Sequence, residues 1–266
     1  MKRYSGLTLA EIVVSLSIFS LVGILLAAAL GGSGDVWRSV SSSTTVQTNL
    51  GRGRDWLSRD LKQSSYDSVE SQAALSSLGA IDGDVVWFLS ARDPVTDEFV
   101  RKSDGTPFWQ RNILYYLVVP TNHSAVFGVA CSGSGDADGY EEQCPHKVLV
   151  RKVIDNGPPT DPTDETTEET PIDPGDVANY LTRPSGFDTS GMSGESGLQD
   201  ISLPATSLLS FRVQLAPDPQ WPGEVRLSLS SVAEEAARRE VPIGQTPLSE
   251  SRHTSNFEFS VFPEVP

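Results

Sequence analysis

Nineteen consecutive residues without a charge, Ile12 to Leu30, follow directly on a carboxylate at Glu11. At about 1.5 Å rise per residue, a helix of that length spans roughly 28 Å, close to the hydrocarbon thickness of a bilayer. Ser15, Ser17 and Ser20 fit such a helix, because a hydroxyl can bond back to a carbonyl one turn earlier. Lys2 and Arg3 precede the run and Asp35 follows it. The positive-inside rule therefore puts residues 1–6 in the cytoplasm and the rest of the chain outside. Glu11 is the anomaly. A carboxylate at the edge of hydrocarbon is costly and marks a functional position by default. Once buried, it needs a partner.

Three readings of this segment compete. A secretory signal peptide has the same basic start and apolar centre, with Ala27-Ala28-Ala29 as its small-residue cleavage site. An uncleaved anchor also fits, with Glu11 snorkelling toward the cytoplasmic surface. The third reading rests on a motif. Lys2-Arg3-Tyr4-Ser5-Gly6, followed by Leu7-Thr8-Leu9-Ala10-Glu11-Ile12-Val13-Val14-Ser15-Leu16, resembles the class III signal of type IV pilins and type II secretion pseudopilins. The resemblance implies that a prepilin peptidase cuts after Gly6 and methylates the new N-terminus at Leu7. Glu11 would then be the fifth residue of the processed chain. It would pair with the N-terminal amine of a neighbouring subunit and set the axial register of a filament. Leu7 departs from the commoner phenylalanine or methionine. The helix-bending proline of many major pilins is missing, and Gly23 is the one weak point for a local bend. The resemblance covers about the first tenth of the chain.

With 266 residues, the chain has room for one moderate globular domain beyond an N-terminal helix. Its net charge of −15, with no Lys/Arg run, argues against nucleic acid as a partner. The only cysteines, Cys131 and Cys144, enclose a turn-rich segment. Outside the cytoplasm that segment can close as a disulfide loop, worth about 3 kcal/mol by chain entropy. Within it, Asp136, Asp138 and Glu142 offer oxygen ligands for calcium, the one cofactor the sequence suggests. They lack full EF-hand spacing, and a solvated acidic turn is the competing account. His123, His146 and His253 have no metal-ligand spacing and read as surface residues. No nucleophile elbow or phosphate-binding loop appears, so no enzyme activity is expected.

The remaining pattern predicts an α+β fold. Residues 1–6 read as a leader and 7–30 as the membrane or filament-core helix. The Gly31-Gly32-Ser33-Gly34-Asp35 stretch invites a bend or break. Residues 31–65 read as an amphipathic continuation, with Val36 and Val40, then Leu50, Leu57 and Leu61, at helical spacing. Residues 66–266 form a β-rich domain. Strands are expected at 85–89, at 113–119 with Pro120 as the stop, and at 147–154. Alternating apolar residues predict three more: Phe211, Val213 and Leu215; Val225, Leu227 and Leu229; Phe257, Phe259 and Val261. One-sided alternation predicts antiparallel strands packed on a single face, against the amphipathic helix. Ser231–Glu240 reads as a short helical turn. Residues 155–200 are acidic, rich in Thr and Pro and poor in apolar side chains, so they read as a disordered or surface insertion.

The stretch Leu50–Leu61 and the tyrosine-bearing strand around Tyr115 and Tyr116 resemble a larger minor pseudopilin of the J type. That resemblance implies a non-enzymatic subunit, anchored by one pass in the inner membrane with its bulk in the periplasm. Its partners would be prepilin peptidase and other pilin or pseudopilin subunits, in a filament or in a tip complex that starts assembly. Two alternatives stand beside it: a binding or adhesion module displayed on a filament, and a membrane-anchored periplasmic protein of unknown activity.

Overall fold

The structure is a computed structural model that describes residues 8–73, 81–93, 96–127, 146–161, 163–232 and 254–264. The chain divides into two compact units, Met1–Thr44 and Thr45–Pro266. One helical element, Leu9–Lys62 (α1), runs from the first unit into the second. The break expected at residues 31–35 is therefore replaced by continuous helix. Each glycine costs a helix only about 1 kcal/mol relative to alanine, which long flanking helical runs can carry.

From Thr45 onward, α1 shows a core-facing stripe. Val46, Leu50, Gly53, Leu57 and Leu61 are buried, while Gln47, Arg52, Arg54 and Asp55 face solvent. The intervals of four, three, four and four residues keep one face turned to the sheet. Gly53 is where helix and sheet come closest. A Cβ built there would lie 3.1 Å from Leu229 Cδ1 and 3.2 Å from the Ala205 Cβ. The helix ends in a tight turn, with Ser64 N–H donating to Leu61 O at 3.1 Å. Glu264 N–H, from the C-terminal segment, donates to Lys62 O at 3.3 Å.

Among the described residues, seven strands form one antiparallel sheet in chain order. They are Glu70–Gln72 (β1), Ile81–Ser90 (β2), Arg111–Val118 (β3), Lys147–Ile154 (β4), Leu198–Leu215 (β5), Val225–Val232 (β6) and Thr254–Val261 (β7). A short helix, His123–Phe127 (α2), follows β3. The expected strands are present. β1 and the first half of β5 were not foreseen, because their side chains do not alternate cleanly. The helical turn expected at Ser231–Glu240 is corrected at its start, since Ser231 and Val232 pair with Ser255 and Thr254 as the end of β6; residues 233–240 lie outside the described residues.

The sheet is curled. Its register shifts between Ile81 and Val85, where β2 carries extra residues against β3. Gly83 there has φ +118°, and a Cβ would fall 2.8 Å from Phe211 O. The next residue, Asp84, accepts a hydrogen bond from Val213 N–H at 2.8 Å. The start of β2 thus meets β5 at the stretch that β4 leaves uncovered.

Both faces of the sheet's centre are covered, against the expectation of a single packed side. On the α1 face lie Val86, Phe88, Ile113, Tyr115, Leu117 and Leu149, with the inward residues of β5, β6 and β7. On the opposite face lie Val85, Trp87, Leu114, Tyr116, Val148 and Val150. The expected disordered insertion covers that second face. Ile172, Val177, Tyr180, Leu181 and Met192 are buried there, three of them on short 3-10 turns at Val177–Tyr180 and Ser190–Met192. Few apolar residues suffice because the sheet supplies donors for the irregular backbone above it. Trp87 Nε1–H donates to Ile172 O at 2.9 Å and Tyr116 O–H to Thr182 O at 2.6 Å. Asn112 holds both Thr170 O and Ile172 N–H, at 2.9 and 3.1 Å. Lys152, fully buried, reaches Tyr180 O and the Glu195 carboxylate, each at 2.6 Å. Burial lowers the Lys152 pKa, and the Glu195 carboxylate opposes that shift.

Candidate functional site

Leu9–Ala28 is the one helical segment among the described residues that is long and apolar enough to cross a membrane, and none of it is buried. Leu9, Leu16, Phe19 and Ile24 stand more than half exposed. A helix of this length and surface, near the N-terminus, is of the kind found in membrane anchors and signal sequences. Ser17 Oγ–H donates to Val13 O at 2.9 Å, the back-bonding that lets a hydroxyl sit in an apolar helix.

Glu11 lies in the first turn of α1. Thr8, just before the helix, donates to Glu11 Oε2 through both N–H and Oγ1–H, at 2.8 and 2.9 Å. Glu11 N–H donates back to Thr8 Oγ1 at 3.4 Å. This is a reciprocal cap of the Thr-x-x-Glu kind, placing a negative group beside the unpaired N–H groups of the helix start. The sequence reading missed it, although the spacing of Thr8 and Glu11 carries the signal. Gly6 and Leu7, the expected cleavage and methylation positions, lie outside the described residues.

A second polar assembly lies where α1 crosses the sheet. Asp60, on the core side of α1, is nearly buried and accepts from Arg151 Nε at 2.6 Å and from Tyr115 O–H at 2.7 Å. Arg59 Nε approaches its other oxygen at 3.3 Å. Arg59 and Arg151 both stack on the Trp56 ring, 4.7 and 5.2 Å from its centroid. Burial, with Asp60 adding to it, pushes the Tyr115 phenol well above its ordinary value. A buried carboxylate held by two donors from the sheet, Arg151 and Tyr115, locks the rotation and height of α1 on it. Leu50, Leu57 and Leu61 marked that face in the sequence, but nothing marked Asp60 as its polar pin.

Cys131, Cys144 and the calcium candidates Asp136, Asp138 and Glu142 lie outside the described residues. Among the described residues, no group of three or more His, Cys, Asp or Glu is arranged to hold a metal ion. His123 and His146 are buried, not at the surface as expected, with ring centroids 5.4 Å apart. His253 lies outside the described residues. Comparison of the chain with protein-family models, with curated proteins and with solved structures finds no match.

Proposed function

We propose that this protein is a minor pilin or minor pseudopilin, a non-enzymatic subunit of a type II secretion or type IV pilus-like filament. One observation carries the reading. An apolar helix with no buried side chain begins at a carboxylate and continues as the helix that packs on an α+β domain. In the membrane, lipid would cover that helix; after assembly, the helices of neighbouring subunits would. The proposed sequence of events is cleavage after Gly6 by prepilin peptidase, methylation of Leu7, and pairing of Glu11 with a neighbour's N-terminal amine. The domain would stand on the periplasmic side of the inner membrane. Calcium at Asp136, Asp138 and Glu142, and a Cys131–Cys144 disulfide, remain part of the proposal without being required by it.

A second reading has its own support. The Thr8–Glu11 cap gives Glu11 a local task that a simple membrane anchor would also use. One substitution separates the two. Gln serves at the third helical position of such a cap but carries no charge. On the filament reading, Glu11→Gln leaves the subunit stable and membrane-bound yet lowers its recovery in sheared or cross-linked filaments at least about tenfold, as expected when a buried amine loses its only counter-charge. On the anchor reading, Glu11→Gln behaves like the native chain in every fraction.

A further inference from the structure

Beside the Asp60 network, a cavity of about 250 Å³ opens between the last turns of α1 and the ends of β2, β3 and β4. Four arginines line it: Arg59, Arg92, Arg111 and Arg151. Trp56 and Ile113 give it apolar wall. The donors are unequally used. Arg111 is engaged with Gln199, Gln110 O and Thr160. Arg151 uses Nε on Asp60 and Nη1 on Asp200, at 2.6 and 3.3 Å, and Nη2 has no acceptor among the described residues. Among the described residues Arg59 bonds through Nε alone, and its side chain is 52% exposed. Arg92 holds Asp97 through Nη1, and its Nε–H is buried with no acceptor among the described residues. A buried donor without a partner is costly, so Arg92 Nε–H favours an acceptor in the cavity.

The acceptor's charge can be bounded. Asp60, Asp93, Asp97 and Asp200 also line the cavity, which balances the arginines formally. Asp60 is spent on its three donors and Asp93 accepts from Thr96 N–H at 2.8 Å, while Asp97 and Asp200 are 74% and 58% exposed at the rim, screened by water. The chain as a whole carries −15. A polyanion or phosphate dianion is therefore disfavoured at long range, and a planar monoanion fits the guanidinium forks best. We infer that this cavity is a binding site for a carboxylate attached to an apolar or aliphatic stem. The carboxylate bridges the Arg59 fork and Arg92 Nε–H, and the stem lies toward Trp56 and Ile113. Its source is either a free organic acid or a glutamate-like side chain of a neighbouring protein. The inference does not depend on the filament reading.

The test uses the full-length protein in detergent micelles, with arginine Nε–H resonances followed by NMR at constant ionic strength. The titrants are sodium acetate and benzoate, N-acetylglutamyl amide and its uncharged glutamine counterpart, and sodium chloride and sulfate as controls. The expected result is a saturable shift of the Arg59 and Arg92 signals with the carboxylates only, weakened at least about tenfold in Arg59→Gln. Arg59 is half exposed and its 3.3 Å contact with Asp60 is the longest of the three, so Arg59→Gln leaves the Arg151 and Tyr115 bonds to Asp60 in place; Arg92→Lys, which removes the Nε donor, is the second variant. Tighter binding of N-acetylglutamyl amide supports a protein side chain as the source, and tighter binding of acetate or benzoate supports a free acid. Equal responses to chloride, no saturable shift, or native affinity in both variants would overturn the site.

Discussion

Asp60 shows how one residue fixes an element. Its carboxylate joins Arg151 and Tyr115 across the helix–sheet boundary, with all three side chains nearly buried. Removing it strands a buried guanidinium, so Asp60→Ala should destabilise the domain by about 3–5 kcal/mol, whereas Tyr115→Phe, which deletes one neutral donor, should cost about 1–2 kcal/mol. Denaturant midpoints of the two variants check that order. Glu169 gives the second residue-scale prediction. It is nearly buried, accepts from Asn112 Nδ2 at 3.2 Å and from Asn156 N–H at 2.9 Å, and sits against Asp155. Burial first, and Asp155 second, raise its pKa from 4.5 to about 8. The protonated carboxyl can donate to Asp155 Oδ1, a buried oxygen that otherwise lacks a partner. The folded state thus holds a proton that the unfolded chain has released. The stabilisation is full below pH 4.5 and is lost as pH rises through about 8. Thermal melts between those values should show stability falling with pH in the native chain and a flatter profile in Glu169→Gln.

At the scale of elements, the helix and the alternating strands were legible because their side chains repeat with the period of the structure. Leu50, Leu57 and Leu61 keep helical spacing, and Phe211, Val213 and Leu215 keep strand spacing. The covering segment 163–195 was illegible for the opposite reason. Its buried residues, Ile172, Val177, Tyr180, Leu181 and Met192, follow no period, and what holds it down lies on other elements: Trp87, Asn112, Tyr116 and Lys152. Local composition therefore pointed to disorder where long-range hydrogen bonds impose order. Deleting 155–200 is accordingly no clean test of a displayed binding loop, because it would strip one face of the core. Gly53, a poor helix former in itself, is the contact point with the sheet. A side chain there must displace Leu229 and Ala205. Gly53→Val should destabilise the domain by about 1–3 kcal/mol through overpacking, measurable as a lower denaturant midpoint. Gly51, with open space around it, should accept alanine without loss.

At the scale of the molecule, two kinds of surface share one chain. Residues 9–28 expose apolar side chains throughout, while the unit from Thr45 onward buries its own on both faces of a curled sheet. The first needs surroundings that the protomer does not supply; the second has a core of its own. A filament subunit stored in a membrane has that division of labour, and Glu11 at the head of the apolar helix is the charge such a helix would use to choose its neighbour. The legible part of this site is the apolar run and its carboxylate; the cap from Thr8 depends on which rotamers Thr8 and Glu11 adopt, which their spacing permits without dictating. The central claim is tested most directly by the intact mass and N-terminal sequence of the protein from cells with and without prepilin peptidase. The account predicts a chain that begins at an N-methylated Leu7 only when the peptidase is present. An intact Met1, or a new N-terminus near Ala29, in both strains would contradict it.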